Sequence, residues 1–298
     1  MNLSSKLGLG TVQWGMSYGI ANKSGPPELP EVRRILELAR KFGVNVLDTA
    51  HAYGNAEQVI GMHQELLEAY NIVTKTLPIQ AIDSSKSSVS TVLQAFDESM
   101  VRLGRTNIYG LLVHREDDLL SSYGKKFWQS LQELKAQGAV SKIGLSVYEP
   151  NQLARILDCY PIDLVQLPLN LYDQRFLRSG MIERLSLSGV EVHIRSSFLQ
   201  GLLLLPTDHL PDQFSSIRAH HSRFRQECKT SGTTPLEASL RFCLAQPKVN
   251  KVIVGCETQT QMQGILGAAS GSNVFLGNTE SFALEDDDLA IDPRRWVK

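Results

Sequence analysis

Val44-Asn45-Val46-Leu47-Asp48, Asn71-Ile72-Val73-Thr74-Lys75 and Ile108-Tyr109-Gly110-Leu111-Leu112-Val113-His114 share one design. Each is a short apolar run that ends on a polar side chain. Tyr53 follows the first run by five residues. Runs of this length fit buried strands, and the segments between them have helical spacing. Strands that alternate with helices form parallel sheets. In a parallel α/β barrel the C-terminal strand ends converge on one face. An acid, a phenol, an amine and an imidazole gathered there can move protons.

Working outward, strand-like runs end near Gly8, Asp48, Lys75, His114, Ser146, Pro168, Arg195 and Val254. Helical patterns separate most of them. Residues 30–42 place Val32, Ile35, Leu36 and Ala39 on one face, with Gly43 as the stop. Residues 91–103 do the same before Gly104, and residues 127–137 before Gly138. Glu149-Pro150 opens a fourth helix, with proline where a first turn tolerates it. Eight strands and about eight helices predict an α/β fold, a (β/α)8 TIM barrel, as a single domain over residues 1–298. Two segments depart from strict alternation. Residues 22–30 form a Gly/Pro-rich loop. Residues 202–232 form a long insertion after strand 7, read as a solvated lid or loop helix.

The composition narrows the function classes. A net charge of -1 gives no case for nucleic acid or a membrane surface. No apolar run reaches the ~20 residues of a membrane span. No apolar stretch follows Met1-Asn2-Leu3-Ser4-Ser5-Lys6, which predicts no signal peptide and a cytoplasmic protein. Cys159, Cys228, Cys243 and Cys256 are scattered without a C-x-x-C pair and read as core thiols. His220 and His221 are adjacent, but neighbours on a helix point about 100° apart and do not chelate alone. No metal site is expected. The acidic run 285–288 reads as a solvated helix start.

A carbonyl accepts hydride only when its oxygen receives a proton or a strong hydrogen bond. A tyrosine can supply it if its pKa falls from about 10. Lys75 would favour the phenolate of Tyr53, Asp48 would hold Lys75 charged, and His114 would orient the carbonyl. Any one of these residues alone commonly packs or pairs. Four at successive strand ends make a catalytic set: Asp48, Tyr53, Lys75 and His114.

The chain resembles the aldo-keto reductase superfamily over almost its whole length. Leu9-Gly10-Thr11 with Trp14-Gly15 is similar to the opening motif. Leu47-Asp48-Thr49-Ala50-His51-Ala52-Tyr53-Gly54 with Ala56-Glu57 is similar to the second-strand signature. Val73-Thr74-Lys75, Leu112-Val113-His114, Ile143-Gly144-Leu145-Ser146, Val165-Gln166 and Gln200-Gly201-Leu202-Leu203 match later segments. The resemblance implies a barrel and direct hydride transfer from a nicotinamide cofactor to a small-molecule carbonyl. It implies Tyr53 as general acid, tuned by Lys75 and Asp48. Ser146 and Gln166 fall where the family holds the carboxamide, and Arg195 where many members stack a tyrosine on the ring. Residues 196–201, with Ser196 and Gly201, fall at the pyrophosphate. Gly255, Thr258 and Gln261 lead into the last barrel helix, and Thr11 completes the cofactor set. Trp14 and Tyr18, with Tyr53 and His114, would line the substrate pocket.

Two departures stand out. Val147 replaces the usual asparagine after Ser146. Residues 253–265 contain no Lys or Arg for the 2'-phosphate of NADP(H), although Lys251 or an arginine of the 202–232 loop could substitute. The expected cofactor is NADP(H), with NAD(H) as the alternative. A cofactor-binding regulatory subunit on the same barrel is the alternative function. The stretch 10–22 resembles a bacterial subset associated with surface polysaccharides, which points to a keto-sugar. The sequence leaves the oligomeric state open.

Overall fold

The computed structural model describes residues 3–22, 24–79, 89–271 and 278–297. Met1, Asn2 and Lys23, which belong to the leader and loop readings above, lie outside the described residues. Eight parallel strands close into a barrel in sequence order: β1 Leu7–Gly10, β2 Val46–Asp48, β3 Asn71–Lys75, β4 Ile108–Val113, β5 Val140–Ser146, β6 Leu164–Pro168, β7 Glu191–Arg195 and β8 Lys251–Gly255. Closure comes from β1 pairing with β8, with Leu7 opposite Val252 and Gly10 opposite Gly255.

Side chains alternate across a strand, so every second residue points into the barrel. Val46, Val73, Leu112, Leu164 and Ile253 form an apolar cluster separate from the larger core between strands and helices. One step further toward the C-terminal ends, the same alternation delivers Asp48, Lys75, Gln166, Gly255 and, past the end of β4, His114. Gly8 shows how narrow the interior is. A Cβ there would meet the Ile253 side chain at 2.6 Å.

The outer helices follow the expected faces. The helix Leu29–Lys41 buries Val32, Ile35, Leu36 and Ala39, and Gly43 then takes φ +81°. Helices Val89–Leu103 and Gly124–Ala136 end similarly, and Pro150–Leu157 begins with its proline. The 202–232 segment, read as a solvated lid or loop helix, does contain a helix, but one with a buried face. It forms 3-10 turns and the helix Arg218–Thr230, which buries His221, Phe224 and Cys228. His221 is fully buried, with Nδ1 2.9 Å from the Tyr172 hydroxyl and Nε2 2.9 Å from Leu205 O. His220 turns its Nε2 to Phe282 O. The two imidazoles therefore make separate structural bonds. Asp288, in the acidic run, caps the 3-10 turn Leu289–Ile291.

Candidate active site

Asp48 and Lys75 meet where their strands end. Lys75 Nζ donates to both Asp48 oxygens at 2.8 Å and to Thr49 O at 2.9 Å. Both side chains are almost wholly buried. Gln166 Nε2 adds a third hydrogen bond to the carboxylate at 2.7 Å. Three hydrogen bonds to one carboxylate offset the desolvation that would otherwise make a buried ion pair costly.

Tyr53 sits on the loop after β2, with its ring centre 5.0 Å from Lys75 Nζ. Its ring meets the His114 imidazole edge-on at 5.9 Å. Burial pushes the phenol well above its ordinary value, the Asp48 carboxylate pushes the same way, and Arg195 pulls it down. Lys75 is held by Asp48, as expected, and Arg195 adds a second nearby cation whose field lowers the phenol. His114 is pushed down to about 3, first by burial and then by Lys75, Arg195 and Arg115. It is neutral at physiological pH, and its buried Nδ1 has no partner.

The Tyr53 loop is held from two sides. A Cβ on Gly15 would stand 1.9 Å from Tyr53 O, so only glycine lets the turn Val12–Gly15 come this close. Gly15 O also accepts from Asn55 N. Behind the loop, buried Glu57 accepts from Thr74 Oγ1 at 2.6 Å and from Arg102 Nε and Nη2 at 2.9 and 2.7 Å.

A cavity of about 440 Å³ opens beside Asp48 and Tyr53 and runs toward β8. Thr11, Tyr18, Arg195, Ser196, Gly201, Gly255 and Gln261 line it, as do Gln13, Gln200, Glu257 and Thr260. Ser146 and Gln166 are register partners on β5 and β6. Thr258 is the N-cap of the helix Gln259–Ser270 and accepts from Gln261 N. Trp14 departs from its expected place in the substrate pocket. It is 2% exposed, and its indole donates to Cys256 O, because the short turn presses it into the core against β8.

Among the described residues, the non-glycine residues with positive φ are Ser196, Leu199 and Gln200, at 63°, 50° and 54°. All three follow β7 and border the cavity or abut residues that do. Such strain persists where surrounding contacts impose it, and it clusters at ligand sites.

The residues fit a nicotinamide cofactor. Gln166 Oε1 is buried without a partner, as a carboxamide N–H₂ would require. Gly255 leaves room where a Cβ would strike Gln13. In TIM barrels, phosphates bind at the loops after strands 7 and 8, and helix N-termini hold them by free amides.

Sequence reasoning missed Gln13, Glu257 and Tyr148. Tyr148 carries the Arg195 guanidinium 3.9 Å from its ring centre. The aromatic following Val147 was the available signal. Lys251 lies at the opposite mouth of the barrel, donating to Ser5 O and Asn45 Oδ1, so it cannot reach a cofactor phosphate.

The family described as "Aldo/keto reductase family" matches residues 6–273. An Escherichia coli K12 protein named NADH-specific methylglyoxal reductase is 25% identical over 244 residues, 75% of this chain and 72% of its own. An oxidoreductase of Bacillus subtilis 168, YqkF, is 24% identical over 283 residues, 88% of this chain and 90% of its own. The holo form of an aldo-keto reductase from Bacillus halodurans superposes with a TM-score of 0.74 at 22% identity, covering 93% of this chain and 89% of that one.

Proposed function

The chain belongs to the aldo/keto reductase family, and on that premise we propose that it reduces a small aldehyde or ketone with Tyr53 as the proton donor. It is an NAD(P)H-dependent oxidoreductase. The observation that carries the reading is the contact set at the strand ends. Lys75 is locked on Asp48, and Tyr53 lies over Lys75 with the neutral His114 ring at its edge.

When bound, the cofactor supplies hydride. The chain's residues do the rest. Tyr53 keeps its proton until charge develops on the carbonyl oxygen, because burial and Asp48 oppose its ionisation. His114, uncharged, can hydrogen-bond that oxygen without competing for the proton. The Asp48–Lys75 pair anchors the floor beneath both. Gln166 and Ser146 offer polar atoms to the carboxamide, and the backbone of residues 196–201 cradles the pyrophosphate. No feature favours a binding subunit without turnover.

The charge along the cavity favours NAD(H). Glu257 lines it near the helix Gln259–Ser270, and Glu31 Oε1 already accepts from Gln259 N at 2.6 Å. Arg34 reaches this corner but is paired with Glu31. In the 202–232 segment, Arg218 and Arg225 donate to carbonyls of that segment, and Arg223 to Ser281 O. A charge-assisted hydrogen bond is worth roughly 1.5–3 kcal/mol, or about one to two decades in affinity.

Titration of both reduced cofactors by tryptophan quenching tests this, followed by turnover against methylglyoxal, aromatic aldehydes and a keto-sugar. NADH should bind at least as well as NADPH. A preference for NADPH of three decades would overturn the assignment and make Arg34 the first residue to replace. Absence of carbonyl turnover with either cofactor would overturn the reductase reading.

A further inference from the structure

Arg195 ends β7 at the reacting end of the cavity, beside Asp48 and Tyr53. Its partners are neutral. Nη2 donates to Val147 O at 3.2 Å, Nη1 lies 3.4 Å from Ser196 Oγ, and the guanidinium carbon sits 3.9 Å from the Tyr148 ring centre. Arg294 lies 3.9 Å from the same ring centre. Two guanidiniums at that distance cannot share one face, so Tyr148 is clamped between them. The counter-ions are on one side only. Arg294 pairs with Asp292, Glu149 and Glu116. Among the described residues, no carboxylate forms an ion pair with Arg195.

An uncompensated cation therefore stands, fixed in place, where the nicotinamide end of the cofactor would lie. The oxidised ring carries a positive charge and the reduced ring does not. We infer that Arg195 is a specificity-determining residue that makes the site bind the reduced cofactor in preference to the oxidised one. This rests on the nicotinamide reading of the cavity. A like charge a few ångströms away in a partly buried site changes affinity by about tenfold or more, even at an effective dielectric of 20. Only the oxidised form feels it. By linkage, the midpoint potential of the bound couple rises, and the spent cofactor is released more readily than it would be from a neutral site.

The field already acts on groups present in the chain. Arg195 lowers both the Tyr53 phenol and the His114 imidazole.

The test is equilibrium titration of the whole chain with NADH and NAD+ by tryptophan quenching, for the parent, Arg195→Met and Arg195→Lys. The ratio of oxidised to reduced Kd should fall about tenfold or more in Arg195→Met. Arg195→Lys keeps the charge and should retain most of the ratio, which separates charge from packing on Tyr148. An unchanged ratio in Arg195→Met overturns the inference while leaving the reductase reading intact. So does an unchanged ratio accompanied by a selective rise in KM for carbonyls bearing a carboxylate, which would make Arg195 a substrate anchor. If the parent binds neither form, the nicotinamide reading fails and takes this inference with it.

Discussion

The two mouths of the barrel each carry a charged cluster, the C-terminal one from β2, β3 and β6 and the N-terminal one from β4, β5 and β7, and they are finished differently. At the C-terminal mouth, Lys75 and Gln166 bond both oxygens of Asp48, yet Gln166 Oε1, Thr49 Oγ1 and His114 Nδ1 are buried without partners. At the N-terminal mouth, Glu191 accepts from the Tyr109 hydroxyl and from His193 Nε2, both at 2.6 Å, and pairs with Lys142. Five apolar side chains separate the two. The lower cluster gathers its hydrogen bonds on one carboxylate, as a stabilising element should, and leaves a single ring nitrogen, His193 Nδ1, buried without a partner. The upper one keeps polar valence in reserve for a ligand. In barrels of this kind, chemistry sits at the C-terminal face and stability at the other.

The largest effect should come from Tyr53→Phe, which removes one oxygen from the upper cluster. Carbonyl reduction should fall by about 10²–10⁴-fold with cofactor affinity unchanged, as measured by steady-state rates and titration. Near-normal turnover would place the acid elsewhere and break the contrast between the two mouths.

Replacing one lysine in each cluster sharpens it. Lys75→Met strands a buried carboxylate and should cost about 3–5 kcal/mol in denaturant unfolding, along with most activity. Lys142→Met leaves Glu191 its two other donors at a half-exposed site. Its cost should be about 1 kcal/mol, with turnover retained. Equal costs would mean that the lower cluster is as tightly coupled as the upper.

Acid unfolding should resolve the mouths by pH. His114 titrates near 3 in the folded chain against an ordinary 6.5, so the unfolded chain binds its proton first. Its contribution is complete above pH 6.5 and is lost as pH falls from there toward 3. Glu191 is held at about 2. Burial opposes this, but hydrogen bonds from His193, Lys142 and Tyr109 outweigh it. Its contribution is complete above pH 4.5 and is lost only between 4.5 and 2. His114→Gln should flatten the upper window and Glu191→Gln the lower. Flattening in the wrong window would refute the corresponding assignment.

Much of this was legible in the sequence, for a definite reason. Strand polarity and period-2 alternation carry Asp48, Lys75 and His114 to one face whatever the details of packing. Gly43 and Pro150 mark helix ends by backbone chemistry alone. What escaped depends on contacts between distant segments. Trp14 reads as a pocket aromatic until its indole N–H is seen donating to Cys256 O. Lys251 reads as a neighbour of the cofactor helix, but it begins β8 rather than ending it, so it faces the other mouth. Local spacing could not show that Arg195 would stack on Tyr148 or that Glu31 would cap a helix at residue 259.

The closing seam between β1 and β8 also sets an order of events during synthesis. The strand made first has its second neighbour made about 240 residues later. At ribosomal rates of about 5–20 residues per second, that wait is roughly 12–50 s. Until then one edge of β1 offers unpaired backbone groups to any passing strand. Leu7–Gly10 is only four residues long and half glycine, a poor template for such pairing. The same glycines that leave room inside the finished barrel therefore also keep its waiting edge quiet.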